Sequence, residues 1–186
     1  MFTIIRRHKN LKNQTAQVLY TAIMDQARQP VFYTDYAVPD SVDGRFEMVL
    51  LHVFPAMIRL RDLGEEGRVL SQALYDVMFV DMDRAIREIG VGDLSVKKHI
   101  RRMMKAFNGR MQAYEDGLKS RQALIDALCR NLFGTVKDDV QSGVLDGLAL
   151  YLEQTSGNFQ QVSFEDIREL KLPWGSPGGE TLKKSA

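Results

Sequence analysis

The chain has 186 residues, with 25 basic and 24 acidic side chains and a single cysteine, which is enough for one domain with a complete core. Near-balanced charge excludes a dedicated nucleic-acid binder, whose basic excess covers the whole domain, so no specific DNA binding is expected. With Cys129 alone no intrachain disulfide can form, and a reducing, cytoplasmic location is the natural expectation.

The N-terminal stretch MFTIIRRHKNLKN has no apolar stretch behind its basic residues and no small-residue cleavage site, so it does not read as a signal peptide. The first helix is expected over residues 11–27, with Val18, Leu19, Ala22, Ile23 and Met24 on one stripe and Pro30 ending it. The connector PVFYTDYAVPD, Pro30 to Asp40, carries two prolines and is expected to run extended across the helical body. Asp43 then reads as the N-cap of a helix reaching Leu60. Phe46, Leu50, Val53, Met57 and Leu60 form its apolar face, widened by Leu51, Phe54 and Ile58 until only Arg45, Met48, His52 and Arg59 remain opposite, so this helix should be largely buried. Pro55 removes one helical hydrogen bond and should bend it. His52 and Pro55 also interrupt the longest apolar run, Met48 to Ile58, which falls short of the roughly 20 residues of a membrane span. Any membrane contact is therefore expected to be peripheral.

A helix over 65–89 should stop at Gly90, with Asp93 or Ser95 in the turn GVGDLS capping the next. That next helix, 96–118, sets Ile100, Met103, Met104, Phe107, Met111, Tyr114 and Leu118 against Lys97, Lys98, Arg101, Arg102 and Lys105. Ser120 can cap a short helix with Leu124, Ile125, Leu128 and Cys129. Asp138 or Asp139 can start another with Val144, Leu145, Leu148 and Leu152, closed before Gly157. The run SFED at Ser163 matches a capping box. The result is an all-α fold, a single compact domain of about seven helices over residues 1–174, with 175–186 too poor in apolar residues to order itself.

Several groups invite chemistry. Asp81 falls on an apolar stripe with Leu74, Val77 and Ala85, Glu47 lies inside another, and Arg45, Arg84 and Arg110 sit at stripe edges. Inward carboxylates could bind metal, but a di-metal helical bundle requires Glu-x-x-His pairs, and none of the three histidines follows a glutamate at that spacing. Structural salt bridges are the expected reading. His52, without an orienting acid, reads as a polar group at a helix boundary. GVGDLS follows a helix, which makes it a turn and not a phosphate cradle. The N-terminal Phe2, Ile4 and Ile5 beside Arg6, Arg7 and Lys9 read as a chain end before they read as a lipid contact. Met57, Met78, Met82, Met103, Met104 and Met111 lie on core-facing stripes. No catalytic, metal or cofactor residues are assigned. A cleft gathering Asp81, His52 and Arg110 would reopen an enzymatic reading.

Three phrases stand in fixed order: DGRFEMVLLHVF from Asp43, ALYDVMFVDMDRAIREIGVGDLSVKK from Ala73 and AFNGRMQAY from Ala106, with LYTAIMDQARQPVFYTDYAVPD ahead of them. Together they resemble the ubiquinol-cytochrome c chaperone family, strongly from Tyr20 to Tyr114 and more loosely from Ser120 to Trp174. The resemblance implies a helical assembly factor for the cytochrome bc1 complex, not an enzyme and without a cofactor. Its implied partners are newly made cytochrome b or other subunits of that complex, with an anionic inner-membrane surface or a ribosome as further contacts. Two interaction candidates follow. The cations Lys97, Lys98, Arg101, Arg102 and Lys105 could meet an acidic partner, and Phe32, Tyr33 and Tyr36 could form a groove for a client segment. The rival is a carrier of haem, quinone or lipid, with a pocket between the helices at 43–60, 65–89 and 96–118.

Overall fold

Among the described residues of the computed structural model the apolar stripes fold as eight α-helices, with no strand. The structure describes residues 2–90, 92–134, 136 and 140–177, and their side chains except those of 2–12 and Leu94. The N-terminal side chains Phe2 to Lys9, the proposed caps Asp138 and Asp139, and residues 178–186 therefore lie outside the described residues. The helices are α1 (Phe2–Ala27), α2 (Pro30–Thr34), α3 (Val42–Asp62), α4 (Gly64–Glu88), α5 (Asp93–Gly117), α6 (Arg121–Leu132), α7 (Ser142–Phe159) and α8 (Phe164–Arg168).

The all-α expectation holds, and α3 is its centre. Every residue from Phe46 to Met57 is buried, because α1, α4, α5, α6 and α7 all pack against this helix. A helix enclosed on every side need not be amphipathic. Met48 and His52, expected opposite the apolar arc, are instead fully buried, since α7 packs against α3 as well.

The ends of α3 and α5 differ from the sequence reading for local reasons. Ser41, not Asp43, caps α3: its backbone is extended and its hydroxyl accepts from the Gly44 N–H at 3.1 Å. Asp43 stands in the first turn, where its charge suits the helix dipole. Helix α5 begins at Asp93 after an extended Gly92, and Asp93 pairs with Arg87 instead of capping. Gly90 adopts φ 84° just past α4, the left-handed stop that glycine permits. Ser120 stands at the N-cap of α6 without a side-chain bond, α7 runs on through Gly157 to Phe159, and Ser163 with Asp166 closes a capping box on α8.

The connector is not wholly extended. Pro30 initiates the short helix α2 from its first turn, a position where the missing N–H costs nothing. Beyond α8 the chain crosses α7. Asn158 donates to the Pro173 carbonyl at 3.1 Å, and the Gly175 N–H donates to Thr155 Oγ1 at 2.9 Å. Among the described residues no helix is long and apolar enough to cross a membrane.

Candidate partner-binding surface

Helix α5 turns Val96, Met103, Phe107 and Tyr114 into the core and leaves Lys97, Lys98, Arg101, Arg102 and Lys105 exposed. The spacings 97–101–105 and 98–102 stack these cations on adjoining rows of one helix face. Elsewhere the surface arginines are mostly neutralised: Arg61 by Glu115, Arg68 by Glu65, Arg87 by Asp83 and Asp93, and Arg121 by Asp146 and Glu153. Lys97, Lys98, Arg101 and Lys105 have no acidic partner among the described residues, and Arg102 only reaches Asp43 at 3.9 Å across solvent. The first four turns of α5 thus concentrate positive charge that has no close acidic partner among the described residues.

Beside this face lies a cleft of about 370 Å³ between the start of α3, α5 and the end of α6. Arg102 is on its edge, Arg130 faces it with no ion pair among the described residues, and Arg110 spans its floor to Glu47. The Arg110 guanidinium grips that carboxylate through Nε at 3.0 and 3.1 Å and Nη2 at 2.7 Å. Burial raises the Glu47 carboxyl above its ordinary range while the Arg110 bonds pull it back. The charge of Arg110 is therefore internally committed.

Phe46 and Met103 form a ridge, lining this cleft on one side and a second groove on the other. The second groove, about 230 Å³, runs between α1, α3 and α4 over Tyr20, Met24, Met82 and Ile86. Asp81 closes one end, accepting from the Tyr20 hydroxyl at 3.2 Å and pairing with Arg84. Burial first, then the Asp81 carboxylate, pushes the Tyr20 phenol well above its ordinary value. Arg45 stays on the surface, bonded to Asp40 at 2.6 Å. A third cavity, about 590 Å³, opens between α3, α4 and α5, where the carrier reading placed its pocket. It is rimmed by Arg61 and Glu115, joined at 2.9 and 3.1 Å, with Arg68 and Gln72 nearby.

Of the connector aromatics, only Tyr33 reaches a groove, half-buried with its hydroxyl on the Ala27 carbonyl at 3.0 Å. Phe32 and Tyr36 face the interior and are fully buried; they present no surface to a client. Phe32 stacks edge-on against His52 and Tyr151, both at 5.1 Å, so these aromatics were recruited by the core.

Sequence reasoning missed what His52 does. Its Nδ1–H donates to the Met48 carbonyl at 2.8 Å, leaving Nε2 to accept from the Tyr151 hydroxyl at 2.8 Å. That hydroxyl accepts from Gln26 at 3.1 Å, and Gln26 accepts from Gln29 at 2.8 Å. One directional chain thus ties α1, α7 and α3 together, under the edge of Trp174. Burial depresses the His52 pKa to about 4, so the ring is neutral. Its principal partner is 99 residues away, and no local spacing signals it. Asp81, His52 and Arg110 belong to three separate networks and do not converge.

Fold and surface together define an all-α protein whose exposed chemistry consists of a cationic helix face and adjoining grooves. The chain belongs to the ubiquinol-cytochrome c chaperone family, whose sequence pattern matches residues 34–174. It is 24% identical over 150 residues to ubiquinol-cytochrome-c reductase complex assembly factor 1 of Xenopus laevis, covering 80% of this chain and 74% of that protein. The Drosophila melanogaster and Homo sapiens proteins of that name are 25% and 24% identical, over 86% and 80% of this chain. The match spans only 64% and 50% of those two relatives. The crystal structure of the Cbp3 homolog from Brucella abortus superposes with a TM-score of 0.80 at 30% identity, over 96% of this chain and 99% of that one. The pattern match continues through Trp174, so it includes the stretch from Ser120 where the resemblance is looser.

Proposed function

We propose that this protein acts in assembly of the cytochrome bc1 complex by holding newly made cytochrome b, with the basic face of α5 as its contact for an acidic client loop. Membership of the chaperone family supports the assembly role. The observation that carries the surface is a cluster of cations without an acidic partner among the described residues, Lys97, Lys98, Arg101 and Lys105 with the loosely held Arg102, on a molecule of net charge +1. Such a patch speeds encounter with an acidic partner and loses its pull in salt. The same cations suit a cytoplasmic membrane face bearing anionic lipid, which fits a peripheral location where the client is inserted.

The test is affinity capture from respiring cells, comparing the wild type with Lys98→Glu/Arg101→Glu/Arg102→Glu. Cytochrome b should accompany the wild type and fall about tenfold with the triple variant, a loss of about 1.4 kcal/mol, with helicity by circular dichroism unchanged. Undiminished capture at low salt would remove the α5 face from the mechanism. Absence of cytochrome b from both captures would overturn the client itself.

A further inference from the structure

We propose that the apolar groove between α1, α3 and α4 seats one or two bulky side chains of the client polypeptide, and that a carboxylate beside them on the same segment pairs with Arg28. The inference rests on the client-binding reading above and names a second, apolar half of that site.

Four observations carry it. The first is exposed apolar surface on facing walls. Val42, at the start of α3, is 58% exposed and Ile89, at the end of α4, is 62% exposed, and both line this groove. Among the described residues few other large apolar side chains are so uncovered, and such surface marks contact sites when it is contiguous with a groove.

The second is size. At about 230 Å³ the groove falls below the roughly 300–1,000 Å³ of small-molecule pockets, whereas an anchor side chain of a protein partner requires only a desolvated recess. Met24, Met82 and Met103 line it, and thioether chains repack around differing anchors.

The third is charge. Arg28 is exposed at the groove's edge and has no acidic partner among the described residues. Its field reaches the phenols of both Tyr20 and Tyr33. The other charges of the groove are occupied, Arg45 by Asp40 and Asp81 by Arg84 and Tyr20. Among the described residues, a carboxylate entering here finds one lining cation without an acidic partner, Arg28.

The fourth is continuity. Phe46 and Met103 separate this groove from the cleft that Arg102 and Arg130 line. A segment anchored in the groove can pass over that ridge to the cations of α5. The client segment so described has bulky apolar residues flanked by acidic ones.

A photo-crosslinking residue placed in turn at Val42, Ile89, Lys98 and Val80 tests this in cells that make the complex. Val80 is 71% exposed on α4 but does not line the groove. Adducts with cytochrome b are expected from Val42, Ile89 and Lys98 and not from Val80. Ala85 is exposed and lines the groove, so Ala85→Trp fills the recess without entering the core. Ala85→Trp and Arg28→Glu should each reduce the Val42 and Ile89 adducts at least fivefold, with melting temperature unchanged. Should Ala85→Trp lower the melting temperature, the surface variant Arg28→Glu with Ile89→Asp makes the same test, read by the Val42 adduct alone. Adducts from Lys98 with none from Val42 or Ile89 would overturn the groove and leave the client reading standing. No cytochrome b adduct from any position would overturn the client reading. Groove adducts that ignore Arg28→Glu would remove the carboxylate from the proposal.

Discussion

Gly44 occupies the tightest point of the phrase DGRF. A Cβ there would lie 2.0 Å from the Pro39 carbonyl oxygen, and that oxygen already accepts from the Ser41 N–H at 2.9 Å. Neither backbone atom can retreat without shifting the connector that seats Tyr36. Gly44→Ala should therefore cost about 2–4 kcal/mol despite alanine's better helix propensity. Gly143→Ala, with open space around it, should be neutral or gain up to about 1 kcal/mol. Urea unfolding of the two variants makes the comparison. The letters of DGRF were legible in the sequence, but their reason was not. The carbonyl that demands glycine approaches from five residues upstream, and the hydroxyl that caps the helix belongs to Ser41 and not to the more conspicuous Asp43.

Between elements, the decisive pair is Glu47 of α3 with Arg110 of α5. Glu47 is 6% exposed, so removing Arg110 leaves a carboxylate without compensation in the interior. Arg110→Ala should cost about 2–4 kcal/mol, somewhat less than a fully buried case because Arg110 retains solvent contact. Replacing both, Glu47→Leu with Arg110→Leu, should recover most of that loss, and a double-mutant cycle in urea separates the two outcomes. The sequence placed Glu47 inside one apolar stripe and Arg110 at the edge of another but could not join them across 63 positions. Helix α5 was readable along its length because one side faces water. The wide apolar arc of α3 likewise reads as a largely buried helix, but burial on all sides removes the contrast that orients a stripe, so nothing in the spacing puts Met48 and His52 inside.

At the scale of the whole molecule, His52 links global stability to pH. Its folded pKa, about 4, lies below the ordinary value near 6.5, so between these limits the unfolded chain binds a proton that the folded one refuses. Stability is full above about pH 6.5 and declines as pH falls toward 4. From pH 7 to 5.5 the loss should be about 1 kcal/mol from this residue. Thermal melts at the two pH values should show it, and His52→Phe should flatten the difference while lowering stability at pH 7, because the Tyr151 hydroxyl loses its acceptor. An equal pH response in the variant would discard this account. The helix content and single-domain architecture were legible from periodicity and punctuation. The polar chain at the centre was not, since Gln26, His52 and Tyr151 come from three distant helices and carry no shared pattern.

The crossing of α7 by the C-terminal segment bears on how the chain is made. Trp174 leans on both Phe159 and His52, and Gly175 is pinned to Thr155. Synthesis delivers the N-terminal end first, so α3 and most of its ring cluster are made before the segment whose Trp174 lies against His52. The middle helix of the fold therefore gains its final cover only after that segment has been made.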